Sequence, residues 1–270
     1  MILVNGVPTA ALAATDRGLA YGDGVFRTLA IRDGRVRAWS RHFAKLKSDA
    51  QALRIPCVEE ALLREEIRKS AAGRQECAVK IVVTRGGGQR GYAFPEQVHP
   101  TRVVSSSPLP EDSAERIERG VAVRVCSLRL SWQPALAGIK HLNRLENVLA
   151  RAEWDDPAIA EGLLQDGAGN VIGGTMSNLF VVEGDNLATP DLSRCGVAGV
   201  TRERIMAAAG RRGIPCRVAD ISLERVLTAQ EVIVVNSLIG VWQVRRLDDR
   251  TWAPGAAAAR VRQWLDEDDD

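Results

Sequence analysis

Residues 138–151 read GIKHLNRLENVLAR and contain Lys140, one of five lysines in a chain of 270 residues that otherwise takes its positive charge from arginine. Leu142, Leu145 and Leu149 recur at helical spacing, with Asn143, Asn147 and Arg151 on another side, so the stretch predicts a helix beginning near Lys140. A helix N-terminus is a poor place for a structural cation, because its N–H groups carry partial positive charge. The same field helps an amine lose its proton, as a nucleophilic lysine must. On these residues alone two readings stay open, a solvated surface lysine and a reactive one.

Either side of this stretch the pattern alternates between strands and helices. GVFRTLAIRDGRVRAW (24–39) predicts a hairpin turning at Asp33-Gly34, where glycine suits a positive φ. Phe43, Leu46, Ala50 and Leu53 predict a helix over 42–53, and a second is expected over 59–72, followed by the strand CAVKIVVTR. GGGQRG (86–91) breaks the pattern as a glycine loop. SPLPEDSAERIERG (107–120) is rich in proline and charge. It predicts a smaller N-terminal α/β domain over 1–108, a linker over 109–119 and a larger C-terminal α/β domain over 120–270 that carries Lys140. That last part is expected to hold the strand VAVRVCSL, a meander from GLLQD to NLFVVEGDNLATP, helices near 201–211 and 256–265, and the strand EVIVVN between them. The acidic end, 266–270, reads as a solvated tail.

With 46% hydrophobic and 26% charged residues the composition is that of a globular α/β protein, and a net charge of +2 gives no field that would recruit nucleic acid or an anionic membrane. The start shows no basic segment followed by a long apolar run, and no stretch reaches membrane-spanning length, so a cytoplasmic protein is expected. Five dispersed cysteines without CxxC spacing, and three scattered histidines, argue for free thiols and against a metal site.

A second clue is CGVAGVTRERI (195–205). Gly196 and Gly199 precede a helix, so the N–H groups of Val200 and Thr201 and the Thr201 hydroxyl would form an anion site. VVNSL ends a strand and offers Asn236 and Ser237 as further phosphate donors or as ordinary strand-end caps.

In chain order, DRGLAYGDGVFRT, RHFAKL, TRGGGQRGY, AGIKHLNRLENVLAR, TMSNLF and AGVTR resemble the fold-type IV pyridoxal-phosphate enzymes, the superfamily of branched-chain and D-amino acid aminotransferases. The GIKHLNRLENVLAR and RGY forms are most similar to the branch that converts 4-amino-4-deoxychorismate to 4-aminobenzoate and pyruvate for folate synthesis. The resemblance implies a two-domain α/β enzyme, a homodimer, with pyridoxal 5′-phosphate bonded covalently to Lys140. Lys140, once displaced by the substrate amine, would remove the proton from the carbon bearing that nitrogen, with Thr28 assisting. Lys45, Asn178, Val200, Thr201, Asn236 and Ser237 would hold the cofactor, and Arg90, Tyr92 and Arg27 would face a substrate bearing two carboxylates. An aminotransferase of the D-amino acid or branched-chain type would share the first steps. A cofactor-binding protein of reduced activity is a further alternative.

Three positions depart from the family pattern. Arg27 stands where glutamate is usual, and Lys45 where arginine usually grips the cofactor phosphate. Gly173, five residues before Asn178, stands where the family carries the glutamate that pairs with the pyridine nitrogen. Glycine cannot hold that nitrogen protonated. Gly173 is therefore expected to be the weak point of catalysis, and Gly173→Glu to raise turnover, unless the strand packs so closely there that glutamate clashes.

Overall fold

The computed structural model describes residues 1–110 and 113–268, and the chain divides into two compact units. Among the described residues, one is formed by Met1–Leu109 together with Ile139–Asn143, the other by Pro110–Gly138 and residues 144–268.

The first unit holds β1 (Ile2–Val4), β2 (Val7–Pro8), α1 (Arg17–Tyr21), β3 (Gly24–Arg32), β4 (Arg35–Val36), α2 (Trp39–Ala52), α3 (Glu60–Ala71), β5 (Cys77–Thr84) and β6 (Thr101–Ser107). Its strands form one antiparallel sheet in the order β2-β1-β6-β5-β3-β4. The hairpin expected at Asp33-Gly34 is present, both residues having positive φ. Alternation splits the sheet into two faces. Val25, Leu29, Ile31, Val79, Ile81 and Val83 are buried against Leu46 of α2 and Leu63 and Ile67 of α3, each such side chain contributing about 2 kcal/mol. The other face of β3 and β5, with Phe26, Thr28, Lys80 and Val82, is left half-buried or exposed.

The second unit holds α4 (Ser113–Arg119), β7 (Val121–Leu130), α5 (Leu145–Arg151), β8 (Ile159–Asp166), β9 (Val171–Gly174), β10 (Asn178–Glu183), β11 (Asn186–Pro190), α6 (Val200–Arg211), β12 (Cys216–Ala219), α7 (Leu223–Thr228), β13 (Glu231–Asn236), β14 (Gly240–Leu247), β15 (Arg250–Thr251) and α8 (Ala257–Glu267). Its nine strands run β12-β11-β10-β13-β14-β7-β8-β9, with β15 beside β14. The central strands are apolar on both faces, because α6 and α8 pack one side and α7 the other.

Two sequence expectations change here. The segment expected as a linker contains α4, held by the Glu115–Arg119 pair at 3.1 Å and by Ile117 packing on the core. The acidic end is tied back rather than free: Glu267 pairs with Arg212, and Asp268 with Arg211 and Arg212. Residues 111 and 112 of that linker and 269 and 270 of that tail lie outside the described residues.

Candidate active site

Lys140 does not stand at a helix mouth. The helix begins at Leu145, and His141 forms an isolated antiparallel bridge with Val25 at the start of β3. The Phe26 N–H donates to the Lys140 carbonyl at 2.9 Å, and the Leu142 N–H donates to the Gly24 carbonyl at 3.0 Å. Open backbone groups at a strand end capture the segment before it can coil, which places Lys140 with the N-terminal unit rather than with the C-terminal part. The dipole argument for this lysine therefore falls. In its place, the Lys140 N–H donates at 3.0 Å to Asp49, a residue of α2 whose carboxylate also accepts from Arg27 and Lys45.

The Lys140 amine lies 4.4 Å from the centre of the Phe26 ring, and the Lys80 amine lies 5.1 Å from the same centre. Thr28 stands directly across the strand pair from Lys80. The open sheet face thus gathers Lys140, Phe26, Thr28 and Lys80. Sequence reading missed Lys80, although its alternation with the buried Val79 and Ile81 places it on the same face as Thr28.

Arg27 sits on the opposite, buried face at 2% exposure, ion-paired to Asp49. That corrects its expected place facing substrate. Lys45 is engaged by the same carboxylate, four residues along the helix. Arg90 and Tyr92 are exposed in the loop after β5. Arg17 and Arg85, which hold this loop, and Asp23 between them were not singled out in the sequence.

In the second unit the loop before α6 turns on two glycines. Gly196, with φ of +86°, turns where a Cβ would meet Ile172 at 2.6 Å. Its carbonyl accepts from the Gly138 N–H at 3.0 Å, and the Ala198 N–H donates to Gly138 at 3.1 Å. The N-cap residue Gly199 supplies no side chain, so the first N–H groups of α6, from Val200 and Thr201, stay open to an anion. The Thr201 hydroxyl lies 3.4 Å from that of Ser237. Asn178 clamps the loop rather than facing a ligand, donating to the Val197 carbonyl at 2.7 Å and accepting from the Gly199 N–H at 3.1 Å. Asn236 is likewise a cap: its side-chain oxygen accepts from Leu238 and Ile239, and its amide donates to Met176.

Gly173 lies on β9, and a Cβ there would meet the Ser177 carbonyl oxygen at 2.8 Å. That carbonyl already accepts from the Gly174 N–H at 2.8 Å. On the neighbouring strand, buried Glu161 accepts from the N–H and hydroxyl of Thr175, the N–H of Met176 and the Ser177 hydroxyl. Its carboxylate is spent on the turn that follows Gly173. The first unit therefore offers an amine and the second an uncapped helix start, each of a chemistry that pyridoxal phosphate can use, and position 173 offers no acid.

The steric observation sets the outcome for this position. Gly173→Ala is expected to lose about 1–3 kcal/mol of stability because a Cβ forces β9 and the Ser177 carbonyl apart. Gly173→Glu meets the same obstacle, so a faster enzyme would come only with a lower melting temperature. Thermal melts of both variants beside single-turnover rates check this, and an unchanged melting temperature in Gly173→Ala would refute the clash.

A model of the amino-transferase class IV family matches residues 24–247, and the chain belongs to this family. Its fold is that of the fold-type IV enzymes, and their cofactor, pyridoxal phosphate, is its cofactor. Among solved structures, the 4-amino-4-deoxychorismate lyase from Pseudomonas aeruginosa superposes with a TM-score of 0.94, at 44% identity over 99% of each chain. Aminodeoxychorismate lyase of Vibrio harveyi is 36% identical over 89% of each chain. A putative branched-chain-amino-acid aminotransferase of Methanocaldococcus jannaschii is 29% identical over 89% of this chain and 84% of that protein.

Proposed function

We propose that this protein is a pyridoxal-phosphate lyase that converts 4-amino-4-deoxychorismate to 4-aminobenzoate and pyruvate. The observation that carries the reading is the likeness to the Pseudomonas aeruginosa lyase along 99% of both chains. When bound, pyridoxal phosphate draws electrons from the carbon that loses its proton. Lys140 would hold the cofactor's aldehyde carbon, and the N–H groups of Val200 and Thr201 its phosphate, with Asn178 keeping that loop in shape. The free amine of Lys140 would take the proton from the carbon bearing the substrate nitrogen. The carbon–oxygen bond to the side chain would then break, the three-carbon fragment leaving as the enolate and taking up a proton at its methylene carbon to become pyruvate, while loss of the ring proton leaves the ring aromatic. Thr28 and Lys80 share the open face with Lys140, and Lys80 is a cation there able to meet a substrate carboxylate.

The alternative chemistry, transamination, needs a proton returned to the cofactor and a second, keto-acid substrate. Gly173 favours the lyase, since aromatisation drives that reaction with less help from a protonated ring nitrogen. Incubation with 4-amino-4-deoxychorismate should yield 4-aminobenzoate and pyruvate. D-Alanine with 2-oxoglutarate should yield no D-glutamate, and the reverse pattern would overturn the reading.

The reading includes a homodimer in the cytoplasm. Five free cysteines fit a reducing compartment. On α5, Leu145 is 75% exposed and Val148 and Leu149 are each 60% exposed, an apolar patch that a second copy would cover. Leu145→Asp/Leu149→Asp is expected to give a folded monomer by analytical ultracentrifugation. A dimer that survives both charges would place the interface elsewhere.

A further inference from the structure

Two buried arginines share one carboxylate beneath the loop that carries Arg90 and Tyr92. Arg85 approaches Asp23 with both ends of its fork, at 2.8 and 3.1 Å, and Arg17 reaches the same carboxylate at 2.9 Å. The side chains of Arg17 and Arg85 are 4% and 2% exposed. One anion between two desolvated cations leaves a positive charge in excess, and a buried guanidinium is tolerated only when its remaining N–H groups find acceptors.

Those acceptors are loop carbonyls. Arg85 donates to Leu53 and Arg54 at the end of α2, at 2.7 and 2.8 Å. Arg17 donates to three successive carbonyls of the loop: Gly91 at 3.0 Å, Tyr92 at 3.3 Å and Ala93 at 3.2 Å. The Gly91 N–H in turn donates to the Tyr21 hydroxyl at 3.1 Å, the Tyr21 and Tyr92 rings lie 5.3 Å apart, and the Arg85 guanidinium stacks 3.8 Å from the Phe94 ring. At the loop's root the Arg17 N–H donates to the Gly86 carbonyl at 2.9 Å, and Gly86, with φ of +91°, passes where a Cβ would lie 1.9 Å from the His99 carbonyl. Opening the loop would strand a buried guanidinium, which favours this shape although Arg90 and Tyr92 are exposed.

We propose that Arg17 is a positioning residue: by gripping three backbone carbonyls of the loop at residues 86–94, it holds Arg90 and Tyr92 ready for an anionic substrate. Burial pushes the Asp23 carboxyl up, but the hydrogen bonds from Arg85 and Arg17 outweigh it and leave Asp23 below its ordinary value, so the countercharge persists at neutral pH. A loop that merely closed the fold would need one arginine on one aspartate. Beyond its Nε bond to Asp23, Arg17 gives its terminal N–H groups to the segment bearing Arg90. The proposal rests on the substrate-side reading of Arg90 and Tyr92.

The test uses the cofactor-loaded protein labelled with 13C-tyrosine, since Tyr21 and Tyr92 are its only two tyrosines and both flank the brace. Arg17→Lys keeps a charge near Asp23 but loses the fork. KM for 4-amino-4-deoxychorismate is expected to rise about tenfold or more, the size of lost charge-assisted hydrogen bonds. kcat should stay within about threefold, because Arg17 touches no reacting atom. The two tyrosine signals should lose their separation. Wild-type KM with an unchanged spectrum, or a fall in kcat at constant KM, would overturn the proposal. Tyr21→Phe, which removes only the bond to Gly91, should shift KM and the Tyr92 signal in the same direction by less. If Arg17→Lys does not fold, an unmoved KM and signal in Tyr21→Phe overturn it instead. If the wild-type protein forms no 4-aminobenzoate, the lyase reading falls, and the tyrosine spectra of the variants alone judge the brace.

Discussion

Lys140→Ala is expected to leave a folded protein with turnover reduced by about four orders of magnitude or more, since the proposed covalent anchor and base are lost together. Folding should survive because three hydrogen bonds that hold the segment use main-chain groups of Lys140 and Leu142: the Lys140 N–H to Asp49, the Lys140 carbonyl from Phe26, and the Leu142 N–H to Gly24. Alanine keeps all three. Borohydride treatment of the wild-type holoprotein should place the cofactor label on the peptide containing Lys140, and on none containing Lys45 or Lys80. Label on Lys80 would reassign the reaction to the other amine beside Phe26 and would sink the role given to Lys140. The variant should still bind cofactor weakly, because the helix start at Val200 and Thr201 offers N–H groups that this substitution does not touch.

How much of this was legible in the sequence depends on whether the deciding interaction is local. The hairpin at Asp33-Gly34 and the helices α2, α3, α6 and α8 follow from turn chemistry and spacing, and all are present. The start of α6 after Gly196 and Gly199 was legible because a glycine-flanked helix start is a local motif. The setting of Lys140 was not. Leucine spacing at 142, 145 and 149 suits a helix, but β3 offers unpaired backbone groups that the pattern of residues 138–151 cannot reveal. Leu145 and Leu149 also kept helical spacing while facing outward, since periodicity identifies a stripe without saying what covers it. Arg17, Asp23 and Arg85 meet only in three dimensions. Asp49, by contrast, left a signal that went unused. It lies in register with the buried His42, Leu46 and Ala50 of α2, and a carboxylate on a buried stripe requires partners.

Asp49→Ala is expected to be the most destabilising single change in the smaller unit. The Asp49 side chain is 1% exposed, and that of Arg27 is 3% exposed. Removing one member of a buried ion pair costs about 3–5 kcal/mol, because the remaining charge keeps its desolvation penalty without its counterion. For a chain of this size that is a fall of about 10 °C in melting temperature. Lys45, with 18% of its side chain exposed, can turn to water and adds less. Asp49 also accepts the Lys140 N–H at 3.0 Å, which on the proposed reading gives it a second task, aiming the amine. The two tasks can be separated. In Arg27→Met/Asp49→Leu the stranded cation is gone, and a buried pair replaced by apolar residues of similar volume is often close to neutral. Most of the melting temperature should therefore return, while the Lys140 N–H still lacks its acceptor. Turnover and the yield of borohydride label on Lys140 should stay low in the double variant, and Asp49→Asn, which keeps an acceptor oxygen without the charge, should do better on both. Full recovery of turnover alongside stability in the double variant would show that Asp49 serves only to neutralise Arg27 and takes no part in placing the lysine.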